Sequence, residues 1–180
     1  MKKLSKLIAV AFAAAALFVT TQVKAQTTPA NAFTFSLGVA AGVPTGNAHN
    51  YSTFNLGGTG RLQYGITNNF AVLFETGGDH FFSKTIPGTD VRYASYGVIP
   101  LKGGVKGFIA PHIYIAGEAG AGFEVLEHGL FKDGQTKLIL APSAGWANRH
   151  WDVGVRYDSF TGDGNNYGTI GVRVAYGFQL

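Results

Sequence analysis

The sequence predicts an all-β protein: an eight-stranded antiparallel up-and-down transmembrane β-barrel, preceded by a cleaved signal peptide. Three observations carry the prediction. Eight segments between Phe33 and Leu180 alternate apolar residues with polar or small ones, at the period of two that an extended chain imposes. The connections between them run long, short, long, short, long, short, medium, which sorts the loops to the two ends of a closed cylinder. The polar faces of the segments carry opposite charges at positions that the short turns bring together.

The leader comes first. Lys2, Lys3 and Lys6 make a basic start, and Leu7 to Val19 is an uncharged apolar run. That run is too short for a permanent membrane helix, which needs about 20 residues. Val23-Lys24-Ala25 places small residues at the cleavage positions, so residues 1–25 are expected to be removed after Ala25. Residues 26–32 form a short periplasmic lead-in, and 33–180 the barrel domain. Of 14 Lys and Arg residues, Lys2, Lys3, Lys6 and Lys24 lie in the leader; the 10 acidic residues all lie beyond it. The mature chain is therefore neutral, which removes the electrostatic case for a nucleic-acid partner. The absence of cysteine excludes a disulfide scaffold and a lipid-anchored lipoprotein. Abundant glycine argues against a helical bundle, and frequent aromatics argue against disorder.

In order, Phe33 to Val43 sets Phe33, Phe35, Leu37, Val39, Ala41 and Val43 against Thr34, Ser36, Gly38, Ala40 and Gly42. A long polar connection from Pro44 to Phe54 follows. Leu56 to Ile66 turns Leu62, Tyr64 and Ile66 one way and Thr59, Arg61 and Gln63 the other. Thr67-Asn68-Asn69 is a tight turn into Phe70 to Gly78. A second long connection, Asp79 to about Ala94, leads to Gly97 to Lys106, where Ile99, Leu101 and Val105 oppose Lys102 and Lys106. A short turn around Gly107 to Pro111 precedes His112 to Phe123. Glu124 to Gln135 is a third long connection, and Lys137 to Trp146 the sixth strand. Asn148 to His150 is a short turn into Trp151 to Tyr157, the clearest alternation in the chain. A fourth loop, Thr161 to Asn166, precedes the last strand, Gly168 to Leu180.

These turns predict register. About the first, Ile66 should face Phe70, Tyr64 Val72, Leu62 Phe74 and Arg61 Glu75. About the second, Val105 should face Ile115, Leu101 Ala119 and Lys102 Glu118. Two hairpins each deliver one inward cation–carboxylate pair, and Arg156, Arg173, Asp152 and Asp158 would extend a structural ion-pair network in the lumen, where buried charge is tolerated only when paired. Phe33, Tyr64, Phe70, Phe108, Trp146, Trp151 and Phe178 gather at the short-turn end. Tyr51, Phe54, Tyr96, Phe123, Phe160 and Tyr167 gather at the long-loop end. Two aromatic belts at lipid–water interfaces are thus expected, with Phe33, Tyr64, Phe70, Trp146, Trp151 and Phe178 as anchors.

The signal peptide, the eight amphipathic strands, the inward Arg, Lys and Glu residues and the final strand G-V-R-V-A-Y-G-F-Q-L resemble the small OmpA/OmpX-type outer-membrane β-barrel family. The resemblance covers the whole mature chain. It implies residence in the outer membrane, the lipid bilayer as neighbour, and the barrel-assembly machinery as partner during biogenesis. Such barrels often end in an aromatic residue; this one ends in Leu180, with Phe178 two positions earlier on the same face.

Function is less legible. Eight strands enclose room for side chains or one small ligand, not a diffusion pore. The expected role is envelope integrity, or surface adhesion and recognition of an extracellular ligand through the long loops, with no catalytic residue, metal or cofactor. Asp79, His80 and Ser83 offer an alternative, a lipid-modifying enzyme. Glu124, Glu127, His128 and Asp133 could hold a cation, though a solvated acidic loop is the plainer reading. His49, His112 and His150 look scattered. A soluble lipocalin-like carrier would need the apolar faces to point inward.

Overall fold

A computed structural model describes residues 29–86, 88, 90–126, 135–162 and 166–180. The expected leader, residues 26–28 of the lead-in, and Glu127, His128 and Asp133 lie outside the described residues. Eight strands follow one another: β1 (Phe33–Gly46), β2 (Ser52–Thr67), β3 (Phe70–Ser83), β4 (Tyr96–Ala110), β5 (Ile113–Leu126), β6 (Thr136–Ala147), β7 (Trp151–Thr161) and β8 (Tyr167–Gln179). A single helical turn, α1 (Ala48–Tyr51), sits between β1 and β2. Every strand pairs antiparallel with its sequence neighbour, and β1 pairs with β8 from Thr34↔Gln179 to Gly46↔Tyr167, which closes the barrel. Closure removes every free sheet edge.

The barrel is built inside out. Leu37 is 54% exposed and Val39 61%, whereas Glu75 is 0% exposed and Lys102 1%. The outward side chains of β7 are Trp151, Val153, Val155 and Tyr157; the inward ones include Arg156 and Asp158. The alternation read from the sequence therefore holds with its apolar face outward. A lipocalin-like interior is overturned, because charged residues occupy the middle of the lumen.

The strands run further than expected at the long-loop end. β1 continues to Gly46 and β2 begins at Ser52, so the first connection shrinks to little more than α1. β3 continues to Ser83, and the Thr85↔Arg92 bridge extends the β3–β4 hairpin beyond it.

Two registers were expected one way and are found another. In the β2–β3 hairpin, Tyr64↔Val72, Leu62↔Phe74 and Arg61↔Glu75 are paired, but Thr67, not Ile66, opposes Phe70, and Ile66 forms a bulge. In the β4–β5 hairpin, β4 runs on to Ala110, with the extra residue Ile109 between Phe108↔Tyr114 and Ala110↔Ile113. The turn therefore centres on Pro111 and His112, and His112 adopts a positive φ of 66°. Val105 then opposes Gly117, Leu101 opposes Ala121 and Lys102 opposes Gly120. The shift is two residues, so each side chain keeps its face while changing its partner.

Candidate functional site

The lumen is stratified. Its middle layer is ionic and centres on Glu75. Arg61 Nε donates to Glu75 Oε2 at 2.9 Å and Arg156 Nη1 to Oε1 at 2.7 Å. Lys102 Nζ lies 3.0 Å from Oε1 and Arg173 Nε 3.2 Å from Oε2. Arg61 also bonds Glu118, and Lys102 approaches Glu118 at 3.6 Å. Asp158 receives Arg156 Nε at 2.8 Å and Lys102 Nζ at 3.2 Å. Asp152 receives Lys106 Nζ and the Tyr114 hydroxyl, each at 2.7 Å. Arg173 donates further to Thr59 Oγ1 at 2.9 Å. Arg61, Lys102, Lys106, Arg156 and Arg173 thus face Glu75, Asp79, Glu118, Asp152 and Asp158, a neutral set. Neutrality is what a layer shielded from water requires.

Lys102 and Glu118 come together without being register partners, because Gly120 stands opposite Lys102. A Cβ at Gly120 would collide with the Leu101 carbonyl and come within 2.7 Å of Lys102 Cα. Here two backbones approach as only glycine permits.

Above the ions, toward the long loops, lies an apolar cap of Phe81, Val98, Ile139, Phe160 and Tyr167, with Tyr96 packed against it. Phe81 stacks on Tyr96 at 4.5 Å between ring centroids, and Phe160 on Tyr167 at 4.7 Å. The Tyr167 hydroxyl donates to Glu124 at 2.8 Å. Below the ions, Phe108, Tyr114 and Ala147 form a floor, with Lys106 Nζ 3.9 Å from the Tyr114 ring centre. Gly145 and Gly154 face each other across β6 and β7 and leave space for the Tyr114 hydroxyl.

This corrects the expected belts. Phe108, Phe160 and Tyr167 are buried in the lumen, and Tyr96 packs there too. Phe33, Trp146, Trp151 and Phe178 are exposed on the outer wall at the short-turn end, while Tyr64 and Phe70 are half-buried there. The Phe33 and Tyr64 rings lie 4.7 Å apart.

The chain has the fold of eight-stranded outer-membrane barrels. Ail, the attachment invasion locus protein of Yersinia pestis, is similar at a TM-score of 0.56 and 16% identity, over 83% of this chain and 99% of that one. The N-terminal β-barrel domain of Pseudomonas aeruginosa OprF is similar at a TM-score of 0.51 and 13% identity, over 84% and 100%. A de novo designed transmembrane β-barrel is similar at a TM-score of 0.50 and 16% identity, over 85% and 99%. No family model and no curated protein sequence matches the chain.

The alternative chemical sites fare differently. Asp79 points into the lumen, with its Oδ2 3.8 Å from Arg156 Nη2. His80 points out, edge-on to Phe82 at 4.7 Å. Ser83 lies within 3.3 Å of the Ser95 hydroxyl. Adjacent strand residues face opposite ways, so the barrel wall separates the expected nucleophile and base. Glu124 is a partner of Tyr167 rather than a loop ligand. Among the described residues, no group of three His, Asp or Glu side chains is arranged to hold a metal.

Lys137 is a residue that sequence reasoning left without a role. It is fully buried, yet its Nζ donates only to Gln135 Oε1 at 2.6 Å and the Gly162 carbonyl at 2.7 Å, with no carboxylate partner among the described residues. Asp79, Lys106 and Tyr114 were also missing from the expected network. Parity alone would have found them: Asp79 shares a face with Glu75, Lys106 with Lys102, and Tyr114 with Glu118.

Proposed function

We propose that this chain is a Gram-negative outer-membrane protein, exported on residues 1–25 with cleavage after Ala25. In this reading the lipid bilayer surrounds the outer wall, the short turns face the periplasm and the long loops face outward. The carrying observation is the exposure of Leu37, Val39, Val155, Ile170 and Val172 on a closed barrel whose middle is ionic. A water-facing wall of this kind would expose far more contiguous apolar surface than soluble proteins do. Phe33, Tyr64, Phe70, Trp146, Trp151 and Phe178 then anchor the barrel at the periplasmic interface. The ionic layer serves structure rather than transport.

The activity we propose is envelope integrity, or adhesion and recognition through the loops, rather than catalysis. Ail carries attachment and invasion in its name, and has been solved with the heparin analogue sucrose octasulfate. The barrel-assembly machinery would insert the chain, reading the outward Phe178 near its end.

Cell fractionation with gel mobility of unboiled protein tests the assignment. Recovery in the outer membrane, with a mobility shift on boiling, is expected. Recovery in the soluble periplasm would overturn it. Replacing residues 86–92 by a short Gly-Ser turn should leave insertion intact and reduce surface attachment of expressing cells if that loop takes part in recognition.

A further inference from the structure

We infer that a groove at the short-turn rim binds the phosphodiester headgroup of an anionic phospholipid; the inference rests on the membrane reading above. The groove has a volume of about 460 Å³ and is lined by His112, Asn148, Arg149, His150, Trp151 and Tyr176. Its upper wall is the β6–β7 turn, and its lower wall is the aromatic pair Trp151 and Tyr176, edge-on at 5.3 Å.

Charge selects the occupant. Arg149 is exposed, and its Nε and Nη2 both donate to one neutral acceptor, Gln179 Oε1, at 3.0 and 2.8 Å. Among the described residues its positive charge therefore has no side-chain counter-ion. Among the described residues the one well-exposed carboxylate is Asp90, which lies in the β3–β4 connection at the other end of the barrel. His112 and His150 add imidazoles to the same rim. The His112 Nδ1 is held by the Ala147 carbonyl at 3.0 Å, which leaves Nε2 as its remaining polar atom. A phosphodiester supplies the missing negative charge. A zwitterionic headgroup would add an ammonium beside Arg149, where the nearby Asp152 is already engaged by Lys106 and the Tyr114 hydroxyl.

The groove also continues into lipid. Below Trp151 and Tyr176, Val153 pairs with Val174 and Val155 with Val172 along β7 and β8, a lane of β-branched side chains on the outer wall. Phosphate at Arg149, glycerol at the two rings and an acyl chain along the valines together match one phospholipid. Indole and phenol rings favour that interfacial depth, and basic residues at a membrane surface favour anionic lipid.

The protein carries a reporter for the test. It has two tryptophans, Trp146 and Trp151, and the second lines the groove. The Trp146→Phe variant, refolded into phosphatidylcholine vesicles, is titrated with brominated phosphatidylglycerol or brominated phosphatidylcholine while Trp151 fluorescence is read. Brominated phosphatidylglycerol should compete for Trp151 about fivefold better, the effect of one surface cation on an anionic lipid. Adding Arg149→Gln should bring the ratio to about one, whereas Arg92→Gln at the opposite end should leave it unchanged. Equal quenching by the two lipids, or a preference that survives Arg149→Gln, would overturn the headgroup site while leaving the membrane reading intact. No quenching by either lipid would remove the membrane reading itself. A preference abolished by inorganic phosphate would make the groove a soluble-anion site and overturn the lipid assignment.

Discussion

Glu75 holds four cationic side chains from four different strands, so its charge is worth more than that of any other lumen carboxylate. Removing one partner of a buried ion pair costs about 3–5 kcal/mol, because the remaining charges stay buried. Glu75→Gln should therefore lower folding stability by roughly that amount, read as the urea midpoint of the unboiled gel-shift transition. Two lysines make a sharper comparison. Lys102 touches Glu75, Glu118 and Asp158, whereas Lys137 touches an amide and a carbonyl. Lys102→Met should cost about 3–5 kcal/mol, while Lys137→Met, which strands no carboxylate among the described residues, should be near neutral or stabilising. Equal losses in the two variants would mean that pairing does not govern the lumen.

At the scale of the strand and hairpin, the short turns carry their own chemistry. Asn148 Oδ1 accepts from the backbone N–H groups of His150 and Trp151, both at 2.8 Å, and so closes the β6–β7 turn. His112 holds a positive φ that a β-branched residue tolerates poorly. His112→Val should cost about 1–2 kcal/mol through that backbone conformation alone, and His112→Gly less; thermal melts of the refolded barrels would rank them. This is also where sequence reasoning stopped short. Arg61 opposite Glu75 was legible because a two-residue turn and strict alternation leave one answer once the Ile66 bulge is passed. The β4–β5 register was not, because Gly107 reads as turn chemistry while the strand continues to Ala110 with Ile109 inserted. Phe81, Phe160 and Tyr167 were missed as lumen residues for a different reason. Their parity with Asp79, Asp158 and Thr169 points inward, but Phe160 and Tyr167 read as belt aromatics near strand ends, and Phe81 falls in what reads as a loop from Asp79 to Ala94. His112 and His150 looked scattered because two separate turns bring them to one groove.

For the molecule as a whole, the cap, ionic layer and floor stack along the axis and fill the described lumen with side chains. Planar-bilayer recordings of the refolded protein should show no steady channels. A double Phe81→Ala, Phe160→Ala variant should stay silent as well, because the ionic layer beneath the cap remains filled. Conductance in that variant would show that the cap alone is the seal. Ionic strength should matter little to stability, since buried pairs are screened far less than exposed ones.

The alternation of side chains also governs the chain before it closes. Polar and small residues interrupt the apolar ones at every second position, and the whole sequence has a mean hydropathy of only +0.13. No segment from Gln26 onward offers the about 20 consecutive apolar residues that make a membrane-spanning helix. The grease that the finished cylinder displays is thus diluted along the extended chain, and becomes a continuous surface only when neighbouring strands lie side by side. A chain patterned this way has little affinity for lipid while extended and acquires it only as the barrel closes.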